Sequence, residues 1–403
     1  MTYDYDLIII GGGVGGSALA VGLASAGVKT LVLEAEEPFR DRVRGEAVMP
    51  WGVAEARLMG LESALIEAGA NPLPFWDSYQ GPDRSGHRDL TRTTRVKEPV
   101  MACYHPVLQN ALLKLAETSG AEVWRGARAA GLAAGSESSG PTVSVERKGE
   151  AIQLSARMAV GADGRGSATR RWAGFPVLQD PERNLVSGVL MDGVALSDDA
   201  THAWLDTQEG RFILNFPQGK GRARVYLCYA AGSARRYGGG DDVQALLAQC
   251  VASGVPAEVY EKASPAGPLA TFDGRTSWVE SAYRRGVALV GDAAANTDPT
   301  WGQGLSMAFR DARILTEKLL AHPDWTGAGE SYARERQQYF GVVHSMENWQ
   351  TQLLMDTGPE ADAIRARAMQ SWREDRTRNP DTFLSGPGGP LSEADRRRFF
   401  GEG

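Results

Sequence analysis

Residues 7–10 are four consecutive apolar residues, three of them isoleucines. A run with no polar face predicts a strand covered on both sides, as in a parallel sheet. It is too short for the apolar core of a signal peptide and runs directly into glycines 11–13. Small residues over 17–26 then predict a helix, closed by Gly27, and residues 29–34 form a second apolar strand. This is a complete strand–helix–strand unit. Helices are predicted over 54–68, 107–119 (leucines 108, 112 and 115 on one face), 241–253 and 301–320, and through the polar stretch 330–373. Short strands are predicted over 121–124, 142–147, 152–154 and 159–162, with a Gly/Ser link over 135–140. Residues 71–99 carry prolines, glycines and a basic run, which predicts loops or short antiparallel strands outside the sheet core. From 184 to 231, β-branched and aromatic runs broken by glycines predict an inserted antiparallel sheet. Residues 287–290 return to the buried parallel pattern.

The expected fold class is therefore α/β: a Rossmann-type domain, an inserted antiparallel β-sheet and a helical C-terminal region. The expected boundaries are a discontinuous nucleotide-binding domain (1–73, 100–180 and 271–325), a substrate-binding sheet (74–99 and 181–270), and a helical region over 326–403. The tail, with Gly386, Gly388, Gly389 and Pro390, is expected to be loosely ordered.

A net charge of −7 argues against general affinity for nucleic acid. No apolar run reaches the length of a membrane span. Cys103, Cys228 and Cys250 lack metal or redox spacing and are expected to be buried small hydrophobes in a cytoplasmic protein. The five histidines show no metal spacing, and no Ser-His-Asp set or HExxH motif is present. No metal is expected, and a monomer or homodimer is.

The candidate chemistry begins at Gly11, Gly13 and Gly16, with Val14 and Gly15 between them, placed between strand and helix. This is the G-x-G-x-x-G context for a dinucleotide pyrophosphate at a helix N-terminus. Glu34, followed by Ala35, ends the second strand, where a carboxylate accepts hydrogen bonds from the adenosine ribose. An acid there disfavours a 2′-phosphate, leaving FAD or NAD.

Two further stretches bear on that choice: Gly161 to Arg170 around Asp163-Gly164, and Gly291-Asp292 followed by Pro299, Gly302, Gly304 and Leu305, with Ala308 and Asp311-Ala312 beyond. With these the chain resembles the single-component aromatic hydroxylases, flavoprotein monooxygenases with the fold of p-hydroxybenzoate hydroxylase, over about its first four-fifths. The resemblance implies FAD as cofactor and NADH or NADPH as a transient reductant without its own domain. It further implies reaction with O2 through a C4a-hydroperoxyflavin, and hydroxylation of an aromatic or similarly electron-rich molecule. It places Asp292 on the flavin's ribityl or ribose hydroxyls, Arg44 near the pyrophosphate and Pro299 beside the flavin ring. Gly302 and Gly304 lie at a helix start suited to negative charge on reduced flavin. The resemblance associates Asp163 with handling of the FAD phosphate; His105 stands where the family commonly has Arg or Gln and can donate one hydrogen bond to a phosphate, and Gln109, one turn on, is a second candidate.

Pro299, Trp301 and Gly302 are the candidates at the reacting centre. Arg95, Arg211, Phe216, Arg224 and Tyr226 are weaker candidates for substrate contact. Three other readings remain. Arg44-Gly45-Glu46 with Pro50 also resembles two-component halogenase-like enzymes, whose W-x-W-x-I-P motif this chain lacks. The geranylgeranyl reductase branch offers double-bond reduction on the same scaffold. A flavin-binding sensor has no effector domain here to support it.

Overall fold

The apolar run forms β1 (Tyr5–Ile10) in the middle of a parallel array. The computed structural model describes residues 2–136, 139–233 and 235–402. Leu7, Ile8 and Ile9 have no exposed surface, as a strand flanked on both faces requires. The glycine loop leads into α1 (Val14–Ala24) and then β2 (Thr30–Glu34). Farther on come β3 (Phe75–Gln80), α2 (His105–Thr118), β4 (Glu122–Arg125) and β5 (Glu150–Gly161). The inserted strands are β6 (Asn184–Asp192), β7 (Ala200–Asp206), β8 (Arg211–Gly219) and β9 (Arg222–Ala230). The chain returns as β10 (Val287–Leu289), then α3 (Gly304–Ala321), α4 (Trp325–Leu354), α5 (Pro359–Glu374) and α6 (Glu393–Phe399).

In the first sheet the parallel order is β10-β5-β1-β2-β4. In the second, β6-β9-β8-β7 run antiparallel and β3 joins β7 in parallel. Strand alternation divides the faces of this second sheet. Leu185, Val189, Val225 and Leu227 pack against the helix Val243–Ala252. Phe212, Leu214, Phe216 and Tyr226 join the core around the first sheet.

Several expectations are corrected. Residues 54–68 form two helices, Pro50–Leu58 and Glu62–Glu67, because the chain turns at Gly60 with φ +70°. The strands expected over 152–154 and 159–162 are one continuous strand, β5, whose first half pairs with Thr142–Arg147 and whose second half enters the parallel array. Of the link 135–140, residues 137 and 138 lie outside the described residues. Residues 75–80 belong to the second sheet. They fall within the expected bounds 74–99, and the polar Asp77 there is 3% exposed, pairing with His87 at 2.5 Å and Arg84 at 3.3 Å.

The tail is packed rather than loose. Phe399 and Phe400 are buried beside Met346, Leu353 and Ala368. Arg88 makes two 2.8 Å bonds to Asp381, and Arg95 donates to Ser385 O at 2.9 Å. Glycine and proline count says nothing about two aromatics that find a core. Phe399→Ala is expected to destabilise the protein by roughly 3–5 kcal/mol, read from denaturant unfolding.

Candidate FAD site

The site is built where two helices begin. At the N-terminus of α1 the cap residue is Gly13; no side chain caps it and no acid lies in the first turn. At the N-terminus of α3 the cap is Gln303, likewise without a side-chain bond or acidic neighbour. Uncapped first turns leave N–H donors and positive dipole ends facing outward. A Cβ on Gly15 would lie 3.5 Å from the Ala308 Cβ, so the first turn of α1 touches the second turn of α3. The two donor sets therefore lie close enough to serve one ligand.

Around the α1 end the glycines are required by contact. A Cβ on Gly11 would collide with the Ala162 carbonyl, and one on Gly16 with the Gly11 carbonyl. Above Gly13 a Cβ would stand 3.7 Å from Gln109 Nε2, an amide with no hydrogen-bond partner among the described residues. Glu34 accepts from Gly12 N and from Glu36 N, both at 2.8 Å, one bond to each oxygen. Burial pushes its pKa up, and the Gly12 N–H and Arg125 oppose that push. Each oxygen keeps a lone pair for a ribose hydroxyl. Ala35 follows it at the exposed strand end.

Around the α3 end, Asp292 is half-buried and makes no hydrogen bond among the described residues. Arg44 Nη1 is 3.7 Å from its Oδ2. Burial pushes the Asp292 pKa up, against the pull of Arg44 and Arg165. A Cβ on Gly304 would lie 3.8 Å from Asp292 Oδ1, which puts this carboxylate at the mouth of α3, one residue before Leu305. Pro299–Trp301 is a single helical turn that ends at Gly302 in the left-handed region, φ +66°. There a side chain would also meet Met49 Cε at 2.6 Å.

An unpartnered amide, a carboxylate with no hydrogen bond among the described residues, a glycine cradle and two uncapped helix ends fit a dinucleotide with a long polar chain. FAD fits this donor set: α1 and Gln109 for the pyrophosphate, Glu34 for the adenosine ribose, Asp292 for the ribityl hydroxyls, and α3 for the flavin.

Two expected cofactor residues are engaged elsewhere. Asp163 accepts from Ser167 Oγ at 2.6 Å, Thr169 N at 2.9 Å and Thr169 Oγ1 at 3.0 Å, so it folds its own turn. His105 donates Nδ1–H to Gly45 O at 2.8 Å, and burial lowers its pKa to about 4. It is neutral near pH 7, and its other nitrogen has no proton to give a phosphate.

The substrate candidates also divide. Phe216 and Tyr226 lie on the inward face of the second sheet, while Arg211 bonds Ser253 Oγ near the outer helix and Arg95 holds the tail. Arg224 is wholly buried and bound by Glu46 (2.6 and 2.9 Å) and Asp41 (2.9 Å). Trp301 is buried, donates Nε1–H to Thr351 Oγ1 at 3.0 Å and stacks on Phe383 at 5.4 Å.

Sequence reasoning missed Gln303, which accepts from Trp51 Nε1 and donates to Trp301 O, fixing the turn before α3. It also missed the function of Asp311, although it singled the residue out. Asp311 accepts from Gly291 N at 2.8 Å, Tyr339 Oη at 2.6 Å and Arg336 Nε at 3.1 Å, so one buried carboxylate ties α4 to the backbone beside Asp292.

Loss of the charged Glu34 acceptor in Glu34→Ala is expected to weaken FAD binding about 10- to 100-fold, read by flavin fluorescence on titrating apoprotein.

The FAD binding domain family matches residues 4–341. Rifampicin monooxygenase of Streptomyces venezuelae is 30% identical over 369 residues, 90% of this chain and 74% of that protein. Digeranylgeranylglycerophospholipid reductase 2 of Methanopyrus kandleri is 30% identical over 332 residues, 78% of this chain and 76% of that protein. The crystal structure of p-nitrophenol 4-monooxygenase from Pseudomonas putida has the same fold, with TM-score 0.79 at 19% identity, covering 94% of this chain and 96% of that one. No described helix is long and apolar enough to cross a membrane. The chain belongs to the FAD binding domain family and is an FAD-dependent oxidoreductase of the flavoprotein monooxygenase group.

Proposed function

We propose that the protein takes electrons from NADH or NADPH and inserts one oxygen atom of O2 into a neutral aromatic or similarly electron-rich small molecule. The observation that carries this reading is the aromatic wall beside the Pro299–Gly302 turn. Trp301 stands between Phe383 at 5.4 Å and Phe212 at 6.0 Å, with Val186, Tyr226, Cys228 and Met355 in the same cluster. Flat apolar walls suit a flat ring, and they exclude water from the reaction. When bound, FAD supplies the redox chemistry and the site at which O2 is activated. The chain supplies orientation, through the fixed Trp301 indole, and donors at the start of α3 for negative charge on the reduced ring.

A neutral substrate is favoured by the state of Arg224. This buried cation lies two residues from Tyr226 on the same strand, and Glu46 and Asp41 already outnumber its charge. A substrate carboxylate beside Arg224 would meet net negative charge.

The reductase from Methanopyrus kandleri supports a second reading, double-bond reduction, because its identity equals that of the monooxygenase. Anaerobic mixing of FAD-loaded protein with NADH or NADPH, with and without neutral phenols and fused-ring aromatics, separates the two. Bleaching of the flavin accelerated by an aromatic, then oxygenated product on admitting O2, is the expected result. Product formed without O2 would establish the reductase instead. No bleaching by either nucleotide under any addition would point to a separate reductase partner. Trp301→Ala is expected to uncouple nucleotide oxidation from product formation while the phenol still accelerates bleaching; unchanged coupling removes Trp301 from the site.

A further inference from the structure

Beside the Pro299–Trp301 turn, under α4, lies a polar cavity of about 20 Å³, room for one ordered water. Asp180, Arg183, Thr276, Asp298, Glu347 and Thr351 line it. Glu347 is 2% exposed, and its Oε1 has no hydrogen bond of good geometry among the described residues, although the Thr276 hydroxyl lies near it and buried carboxyl oxygens seldom go unpaired. Its Oε2 lies 3.5 Å from Asp298 N. Asp298, itself buried, accepts from Asn184 Nδ2 and from Thr300 N, both at 2.9 Å. Thr300, one residue past Pro299, has a buried Oγ1 that lies beside Asp298 and Cys228, and among the described residues no hydrogen bond of good geometry satisfies it. Carboxyl, water site, carboxylate and hydroxyl thus follow one another from α4 to the turn.

The proposed reaction needs such a path. NAD(P)H, O2, the substrate R–H and one proton give NAD(P)+, R–OH and water, so each turnover draws one proton from solvent. The aromatic cluster beside the turn offers none: Val186, Phe212, Trp301, Met355 and Phe383 carry no ionisable group, and burial raises the Tyr226 hydroxyl far above its ordinary value. Burial raises the Cys228 thiol far above its ordinary value, so it does not serve either.

We propose that Glu347 and Asp298, bridged by a water in this cavity, form the proton entry of the active site and pass one proton per turnover through Thr300 to the Pro299–Gly302 turn. Glu347 is the positioning residue of this path, holding a proton for transfer; Asp180 and Arg183 lie toward solvent. The inference rests on the monooxygenase reading for its place in turnover. Burial first, and then the neighbouring Asp298 and Asp180, raise the Glu347 pKa well above the ordinary range. Asp298 is raised by burial and by Asp273. The other charged groups around the cavity are Arg183, Arg275 on the Thr276 loop and His344 on α4, whose Nε2 pairs with Asp180 at 2.6 Å.

Two measurements test this, neither using substrate or nucleotide, so they stand apart from the fate of the functional reading. In the first, FAD-loaded protein is reduced with dithionite and mixed with O2 across a pH series; reduced flavin, O2 and a proton return FAD and H2O2. Glu347→Gln is expected to slow reoxidation roughly tenfold or more and to flatten its pH dependence, while Glu347→Asp keeps the wild-type profile. Should Glu347→Gln fail to fold, Thr300→Val interrupts the same path and is expected to slow reoxidation likewise. Wild-type rates and profile in the folded variant overturn the proposal.

The second measurement is the melting temperature of apoprotein against pH. A carboxyl whose folded pKa is raised contributes stability that is complete below its unfolded pKa and is lost as pH rises toward the folded value. Wild type is expected to lose melting temperature over that rise, and Glu347→Gln to lose less. Parallel curves would mean that Glu347 holds no proton and would overturn the proposal.

Discussion

The contact between α1 and α3 is the constraint on which the site depends. Gly15 meets Ala308, and Gly22 meets Thr316, where even a Cβ would come within 2.9 Å. Small residues at these crossings let two helices approach closely enough for their first turns to lie side by side. The two turns bring unsatisfied N–H groups and partial positive charge to one place. One set is suited to the pyrophosphate and the other to the flavin, and the separation between them is fixed by packing rather than by any flexible loop. Asp311 completes this arrangement, since its bonds to Gly291 N, Arg336 and Tyr339 make the backbone at Asp292 part of the α3–α4 packing.

A second constraint joins the inserted sheet to the cofactor. Arg224 and Tyr226 on β9 hold the segment 41–46, the first through Glu46 and Asp41 and the second through Arg44 O at 2.9 Å. Gln218 on β8 also donates to Glu46. Val43 within this segment has φ +53°, a conformation that a β-branched residue adopts only under firm restraint. The restraint is the ion cluster, which presents Arg44 to Asp292. A buried ion pair of this kind is weak evidence for stability, but removal of one partner leaves an uncompensated charge. Arg224 is thus a strut between the substrate side and the flavin side rather than a substrate ligand.

The parts legible in the sequence are those placed by local backbone geometry at turns, strand ends and helix starts. The glycine loop, Glu34 at the strand end, and Gly302 before α3 follow from local rules about turns and helix starts, and they lie where those rules put them. Side chains whose role depends on which partner the folded backbone presents to them were not legible. Asp163 reads as a ligand, yet Ser167 and Thr169 absorb its bonds. His105 reads as a weak phosphate donor, yet Gly45 takes its proton. Glu347 sits in a polar helix, where the pattern predicts exposure; only the fold shows it buried against Asp298. The tail fails for the same reason in reverse, because loop-like glycines precede two phenylalanines that complete a core.

The central claim is that the α1–α3 approach, and not either loop alone, makes the cofactor site. Titration of apoprotein with FAD in an Ala308→Leu variant tests it most directly, with circular dichroism to confirm the fold. The larger side chain separates the two first turns while leaving Gly11, Gly13, Gly16, Glu34 and Asp292 in place. The account predicts a folded protein that has lost most of its affinity for FAD. Wild-type affinity in that variant would contradict it.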